Sequence, residues 1–185
     1  MSQVSEIRQV MAEADLVVSE ETINAAYDKM AAEITDKLAD KDPIFVCVMN
    51  GGLVTTSEVT KRLQFPSQID YCHATRYRDE TVGGETLEWR ATPQRSLEGR
   101  VVVVVDDILD EGVTLASIIE SCKVQGAAEI YSAVLVNKLH DRKVDKALVG
   151  DFVGLEVEDR FIFGCGMDYK GYLRNLPAIY ALKDH

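Results

Sequence analysis

The chain has 185 residues, a length that suits one domain, or one domain with a small appendage, at roughly 100–200 residues per domain. A hydrophobic fraction of 46% excludes wholesale disorder. Lys and Arg number 20 against 31 Asp and Glu, a net charge of -11, so long-range repulsion makes nucleic acid and anionic membrane poor partners, although a local cationic site remains open.

In chain order, the opening MSQVSEIRQV carries no apolar segment behind a basic stretch, so no secretory signal is expected. Ser19, Glu20 and Glu21 then place a capping hydroxyl and two acids at a helix start. Ile23, Ala26, Tyr27, Met30, Ile34 and Leu38 follow at helical spacing, which predicts one amphipathic helix ending near Leu38, its stripe facing the core or a second subunit. After Pro43, the unbroken apolar run Ile44 to Met49 predicts a strand covered on both faces, stopping at Asn50-Gly51-Gly52. Ile69, Tyr71 and His73 alternate as on a strand. Residues 76–95, charged and interrupted by Gly83-Gly84 and Pro93, read as a mobile excursion with a short strand over Glu85 to Trp89.

Val101 to Val105 is a second buried strand, ending at Asp106-Asp107. Leu115, Ile118, Ile119 and Cys122 mark a helix closed by Gly126. Ile130 to Val136 is a third strand, ending near Asn137-Lys138. Strand, helix, strand in that order predicts a βαβ unit and a parallel sheet. Asp151 to Leu155 and Arg160 to Phe163 are short strands expected to form a small antiparallel annex. No run approaches the roughly 18 apolar residues of a membrane span. Cys47, Cys72, Cys122 and Cys165 form no C-x-x-C pair and have no histidine cluster beside them, so buried, reduced thiols are expected and the compartment is expected to be the cytoplasm.

In an open parallel sheet, ligands bind beyond the carboxyl ends of the strands. Here those ends are Asn50-Gly51-Gly52, the segment Asp106 to Thr114, and Lys138. Asp106, Asp107, Asp110 and Glu111 would repel one another strongly without a cation or hydroxyl donors. Gly112 permits a tight turn and Thr114 opens a helix, so backbone N–H groups converge where the helix dipole is positive. A sugar phosphate satisfies both halves; the plainer reading is a buried strand followed by a solvated acidic turn. No G-x-x-x-x-G-K-[ST] is present, and Gly164-Cys165-Gly166 has Tyr169 where a dinucleotide fingerprint needs its third glycine.

The segment VVVVVDDILDEGVTL, residues 101–115, resembles the phosphoribosyl-pyrophosphate motif of the type I phosphoribosyltransferases. Lys138, Phe161-Ile162, Gly164 to Tyr169 and Arg174 extend the likeness to the hypoxanthine-guanine members, in order from about Met49 to Arg174. The resemblance implies an α/β fold, a parallel-sheet core with helices on both faces plus a small hood subdomain. It implies a single domain over 1–185, with its core at about 40–149 and its hood from the N-terminal segment and about 150–185.

The resemblance also implies roles. Asp106 and Asp107 would hold ribose hydroxyls, Asp110 would act as general base or acceptor at the imidazole-ring proton of the purine, and Glu111, Gly112, Val113 and Thr114 would wrap the 5'-phosphate. Lys138 would donate to the oxygen on carbon 6, selecting an oxopurine over adenine. Phe161 would stack on the base and Ile162 would offer its backbone. Asp168 would bind Mg2+, and Asn50, Gly51, Arg76, Tyr77 and Arg174 would face pyrophosphate, Tyr77 on a closing loop. The implied partners are phosphoribosyl pyrophosphate and a 6-oxopurine, in a homodimer or homotetramer.

Three positions depart from the family pattern. Arg76 replaces a common serine, Asn50 replaces the lysine of L-K-G-G, and Glu111 replaces a threonine, so its side chain is expected to turn away from the phosphate. A regulatory sensor of phosphoribosyl pyrophosphate on the same fold would need a basic face, which the charge of -11 opposes. An enzyme for a pyrimidine or orotate is opposed by Phe161. His73 reads as a strand residue, Trp89 as loop packing, and His140 and His185 have no partner visible in sequence.

Overall fold

A computed structural model describes residues 2–78, 85–145 and 149–183, with backbone alone at 76–78 and 85–86. His185 and Gly83-Gly84 of the expected mobile excursion lie outside the described residues.

Helix α1 (Gln3–Glu13) begins where the Ser2 hydroxyl accepts the N–H of Ser5, and strand β1 (Asp15–Val18) follows. Helix α2 (Glu20–Leu38) starts as its sequence predicts: the Ser19 hydroxyl accepts the Thr22 N–H at 3.3 Å. The expected stripe, joined by Ala31, is buried. Strand β2 (Ile44–Val48) leads through Asn50-Gly51 into α3 (Gly52–Thr60), then β3 (Gln68–Arg78) and β4 (Glu85–Ala91) pair as antiparallel neighbours. Strand β5 (Val101–Leu109), α4 (Val113–Val124) and β6 (Glu129–Leu139) form the βαβ unit. Strands β7 (Phe152–Glu158), β8 (Ile162–Phe163) and β9 (Ile179–Ala181) complete the described elements.

The main sheet has the order β4-β3-β2-β5-β6-β7, with every neighbouring pair parallel except β3–β4. Alternation along β5 explains its run of valines. Val101, Val103 and Val105 join the core under α2 and α3, while Val102 and Val104 join the opposite core with Leu115, Ile118 and Cys122 of α4. Both faces are therefore covered, as the unbroken apolar runs require.

The two C-terminal segments do not share one destination. The segment from Asp151 enters the main sheet as β7, parallel to β6, instead of the expected annex. The Asp151 carboxylate accepts from the Ser132 N–H at 2.8 Å and from its hydroxyl at 3.1 Å, which ties the start of β7 to β6. Helix α2 covers the new edge; a Cβ on Gly154 would stand 3.0 Å from Met30 Sδ and 2.7 Å from the Leu135 carbonyl. The segment 160–163 does form an annex, the three-stranded sheet β1-β9-β8, antiparallel throughout. Helix α1 closes a third small core there, where Ile7 meets Phe163 and Leu173.

Candidate active site

Strand β5 runs on through Leu109, so Asp106 and Asp107 lie inside it, where the valine run alone would have ended it at Val105. The following loop reaches Gly112, whose φ of +85° is open to glycine and strained for residues with a Cβ. Helix α4 starts there with no side-chain cap, so its first N–H groups face the loop. Asp106, Asp107, Ile108, Asp110, Gly112, Thr114 and Leu115 line a cleft of about 190 Å³ at this point. Val113 is the first helical residue, half-buried beside them. A cleft floored by carboxylates and roofed by a helix N-terminus can take hydroxyls at one end and an anion at the other.

One side of the floor is an under-compensated acid pair. Asp107 Nα donates to Asp106 Oδ1 at 2.9 Å. Burial, reinforced by the charge of Asp107, pushes the Asp106 carboxyl well above the usual range. Burial also raises Asp107; its hydrogen bond with Asp106 and the charge of Arg174 offset only part of that. Arg174 reaches Asp168 Oδ1 at 2.7 Å and Asp107 Oδ2 at 3.8 Å, and it donates to the Gly166 carbonyl. Asp168 Oδ2 accepts the Gly171 N–H at 2.7 Å. Gly51 is forced by contact: a Cβ there would run into the Asp107 carboxylate. The Met49–Asn50 peptide before it is cis, and Asn50 is exposed.

The other side is compensated. Lys138, in β6 and 8% exposed, donates to Asp110 Oδ2 at 3.1 Å and lies 3.6 Å from Asp159 Oδ1. His140 Nε2 lies 2.6 Å from Asp110 Oδ1, and its side chain is only 5% exposed. Burial pushes Asp110 up, but hydrogen bonds from Lys138 and His140 outweigh it and hold the carboxyl below its ordinary value. Arg142 binds both oxygens of Asp159 and brings that carboxyl down to about 2. Lys143 Nζ ties the segment to the β5 end through the carbonyls of Leu109 and Asp110 and the Asn137 side chain. The ligand atoms of Asp110, His140 and Asp159 lie within 4.8 Å of one another. That spacing could suit a cation, yet Lys138 and Arg142 already neutralise the two carboxylates.

Phe161 is 53% exposed, with its ring edge-on to Tyr169 at 6.0 Å, while Ile162 is buried in β8. Glu111 acts on Arg142 by charge, and its carbonyl accepts the Val144 N–H. Arg76 and Tyr77 lie at the end of β3, paired in register with Leu87 and Thr86, and their side chains lie outside the described residues.

A family model described as phosphoribosyl transferase domain matches residues 17–170. The chain belongs to the phosphoribosyltransferase family. Among curated relatives of this family, the hypoxanthine-guanine phosphoribosyltransferase of Bacillus subtilis (strain 168) is 32% identical over 168 residues, covering 91% of this chain and 92% of the relative. The hypoxanthine-guanine-xanthine phosphoribosyltransferase of Tritrichomonas foetus is 29% identical over 170 residues, covering 91% of each. A solved hypoxanthine phosphoribosyltransferase from Staphylococcus aureus superposes with a TM-score of 0.87 at 27% identity, covering 99% of this chain and 96% of that one. The α/β fold of this phosphoribosyltransferase, with its mostly parallel central sheet, is the fold of these neighbours.

Sequence reasoning missed His140, Arg142, Lys143 and Asp159, because nothing in a charged turn says which acid it will meet. A signal was present in LHDRK, residues 139–143, directly behind Lys138: a basic cluster at a strand's carboxyl end faces the same site as the acids of the neighbouring strand.

Proposed function

We propose that this phosphoribosyltransferase acts in purine salvage, joining hypoxanthine or guanine to the ribose 5-phosphate of phosphoribosyl pyrophosphate and releasing pyrophosphate, to give IMP or GMP. The observation that carries the reading is the Lys138–Asp110 pair at 3.1 Å beside the α4 N-terminus. An ammonium donor and a carboxylate acceptor held side by side match the oxygen on carbon 6 and the imidazole-ring proton of a 6-oxopurine. Adenine offers no acceptor at that position.

The residues divide the work by chemistry. The N–H groups of Glu111 to Thr114 hold the 5'-phosphate, Asp106 and Asp107 accept from the ribose hydroxyls, and the exposed face of Phe161 stacks on the base beside the Ile162 backbone. Asn50, Gly51, Arg76, Tyr77 and Arg174 are assigned to the pyrophosphate. Asp110, held ionised, accepts the ring proton as the base becomes the nucleophile. Displacement at the anomeric carbon leaves an oxocarbenium-like centre, which the neighbouring carboxylates stabilise by charge.

Mg2+ fits the donor set if it takes the place of Arg174 on Asp168: the carboxylate oxygens there are hard ligands, and a cation close by would offset the burial that raises Asp106 and Asp107. When bound, it would neutralise the pyrophosphate leaving group. We also propose one domain over 1–185, whose core, expected at about 40–149, runs on through β7 to Glu158 because that strand pairs in the main sheet, and whose hood is the N-terminal segment and the residues after β7. A cytoplasmic site of action suits the four buried free cysteines. Among the described residues, no helix is long and apolar enough to cross a membrane. Assembly as a homodimer or homotetramer is supported by Leu53, Ile69 and Tyr71, which stay exposed around a groove of about 920 Å³ beside α3.

The test is a product assay with phosphoribosyl pyrophosphate, Mg2+ and a panel of hypoxanthine, guanine, xanthine, adenine and uracil. Nucleotide from hypoxanthine or guanine is expected. Nucleotide from no oxopurine overturns the reading, and turnover of adenine alone overturns the role given to Lys138.

A further inference from the structure

We propose that His140 is a positioning residue for the proton-accepting carboxylate: its neutral imidazole donates from Nε2 to Asp110 Oδ1 and holds that group in place while Lys138 turns to the base. The inference rests on the role given above to Asp110. The direction of the bond follows from the other ring nitrogen. His140 Nδ1 accepts the backbone N–H of Arg142 at 3.1 Å. A nitrogen that accepts carries no proton, so the proton of the neutral ring sits on Nε2, 2.6 Å from Asp110 Oδ1.

Each oxygen of Asp110 then has its own donor, His140 on Oδ1 and Lys138 on Oδ2. The two donors differ in freedom. The ammonium of Lys138 is shared with Asp159 at 3.6 Å and ends a flexible stem. The imidazole has 5% of its surface exposed, with its far nitrogen fixed by the chain itself. When Lys138 moves to the purine oxygen, Asp110 would lose orientation and one of its two hydrogen bonds. His140 supplies the bond that remains. The other charged groups around the imidazole are Asp159, Lys138 and Arg142; Glu111 faces Arg142, and Lys143 binds the Asp110 carbonyl. Of these, Arg142 reaches Oδ1 only at 3.8 Å, beyond hydrogen-bond distance.

Two substitutions separate positioning from packing. His140→Gln keeps a neutral N–H donor at the reach of Nε2, and His140→Leu keeps bulk without one. With hypoxanthine as the probe, His140→Leu is expected to lower kcat about ten- to hundred-fold, the scale of one hydrogen bond to a charged group. It should also move the acid limb of kcat/KM to higher pH, because Asp110 has lost a donor that favours its ionised form. His140→Gln should restore most of both. An unchanged pH profile in His140→Leu, or equal losses in the two variants at equal melting temperature, overturns the proposal. So does a fall in activity that merely tracks a fall in melting temperature.

A second measurement needs no turnover. Nitrogen-15 shifts of the His140 ring in the full chain should report the Nε2–H tautomer at neutral pH and should respond to Asp110→Asn. An Nδ1–H tautomer, or no response, overturns the contact. If the wild-type chain makes no nucleotide from any oxopurine, the proposed function fails, and these ring shifts still decide whether His140 holds Asp110.

Discussion

The two halves of the cleft floor treat carboxylates in opposite ways. On the Asp106–Asp107 side, burial outweighs the available counter-charge, and both carboxyls rise. On the Asp110–Asp159 side, Lys138, His140 and Arg142 supply donors, and both carboxyls fall. The same side-chain type is thus held ready for different work. The first pair lacks full compensation for its burial, which suits the hydroxyls and cation proposed for it; the second is compensated in advance by its donors. Environment separates the roles, because a unit of pKa reflects about 1.4 kcal/mol of difference between protonation states.

The largest break in this contrast comes from removing the proton acceptor. Asp110→Asn should lower kcat by roughly a hundred- to ten-thousand-fold, the scale of a positioned general base. Binding of phosphoribosyl pyrophosphate, measured by calorimetry, should change far less; equal losses would reassign Asp110 to the sugar. Lys138→Gln should come next, raising KM for hypoxanthine about ten- to hundred-fold as a charged hydrogen bond is lost. The acid limb of kcat/KM should move upward in the same variant, since Lys138 lowers Asp110.

Gly51→Ala strikes the other side. The new methyl would meet the Asp107 carboxylate, and the displacement should cost about 1–3 kcal/mol of stability, read as a lower Tm. Asp106→Asn should show the smallest effect on stability and the opposite sign. A carboxyl whose folded value is raised binds its proton more tightly in the native state, so its contribution is favourable at low pH and is lost as pH rises through the folded value. Asparagine removes that loss while its Oδ1 keeps the bond from the Asp107 N–H. The free protein should melt about 2–4 °C higher at neutral pH, the equivalent of ~1 kcal/mol in a chain of this size. The gain should shrink toward acid pH, and a lower Tm at neutral pH would show the pair to be compensated after all.

Much of the core was legible because its signals are local. The Ser19 cap and the stripe from Ile23 to Leu38 mark α2, and the unbroken apolar runs at β2 and β5 mark strands covered on both faces. Helix α3 was not read: its few apolar positions, Leu53, Val54 and Val59, follow a glycine pair that resembles a turn. Helix α1 was missed although Ser2, Ile7 and Val10 carried a weak signal, because most of its surface is polar. In the site, Asp106, Asp107, Asp110, Gly112 and Thr114 could be picked out from one contiguous segment. His140 and Asp159 could not, since His140 meets Asp110 across 30 residues from the end of β6, and Asp159 from still farther along the chain, after β7.

The sequence by itself determined which segments are buried on both faces, where the acidic segment and its glycine turn lie and which family the motif resembles, because periodicity and a contiguous motif are properties of neighbours along the chain. The tertiary structure alone decided that Asp151 to Glu158 joins the main sheet, with Asp151 bound to Ser132. It also decided which acids share charge: Asp107 and Asp168 with Arg174, and Asp110 and Asp159 with Lys138. A net charge of -11 is a sum, whereas the state of each carboxylate depends on burial and on the one or two donors within hydrogen-bond reach, which folding alone brings there.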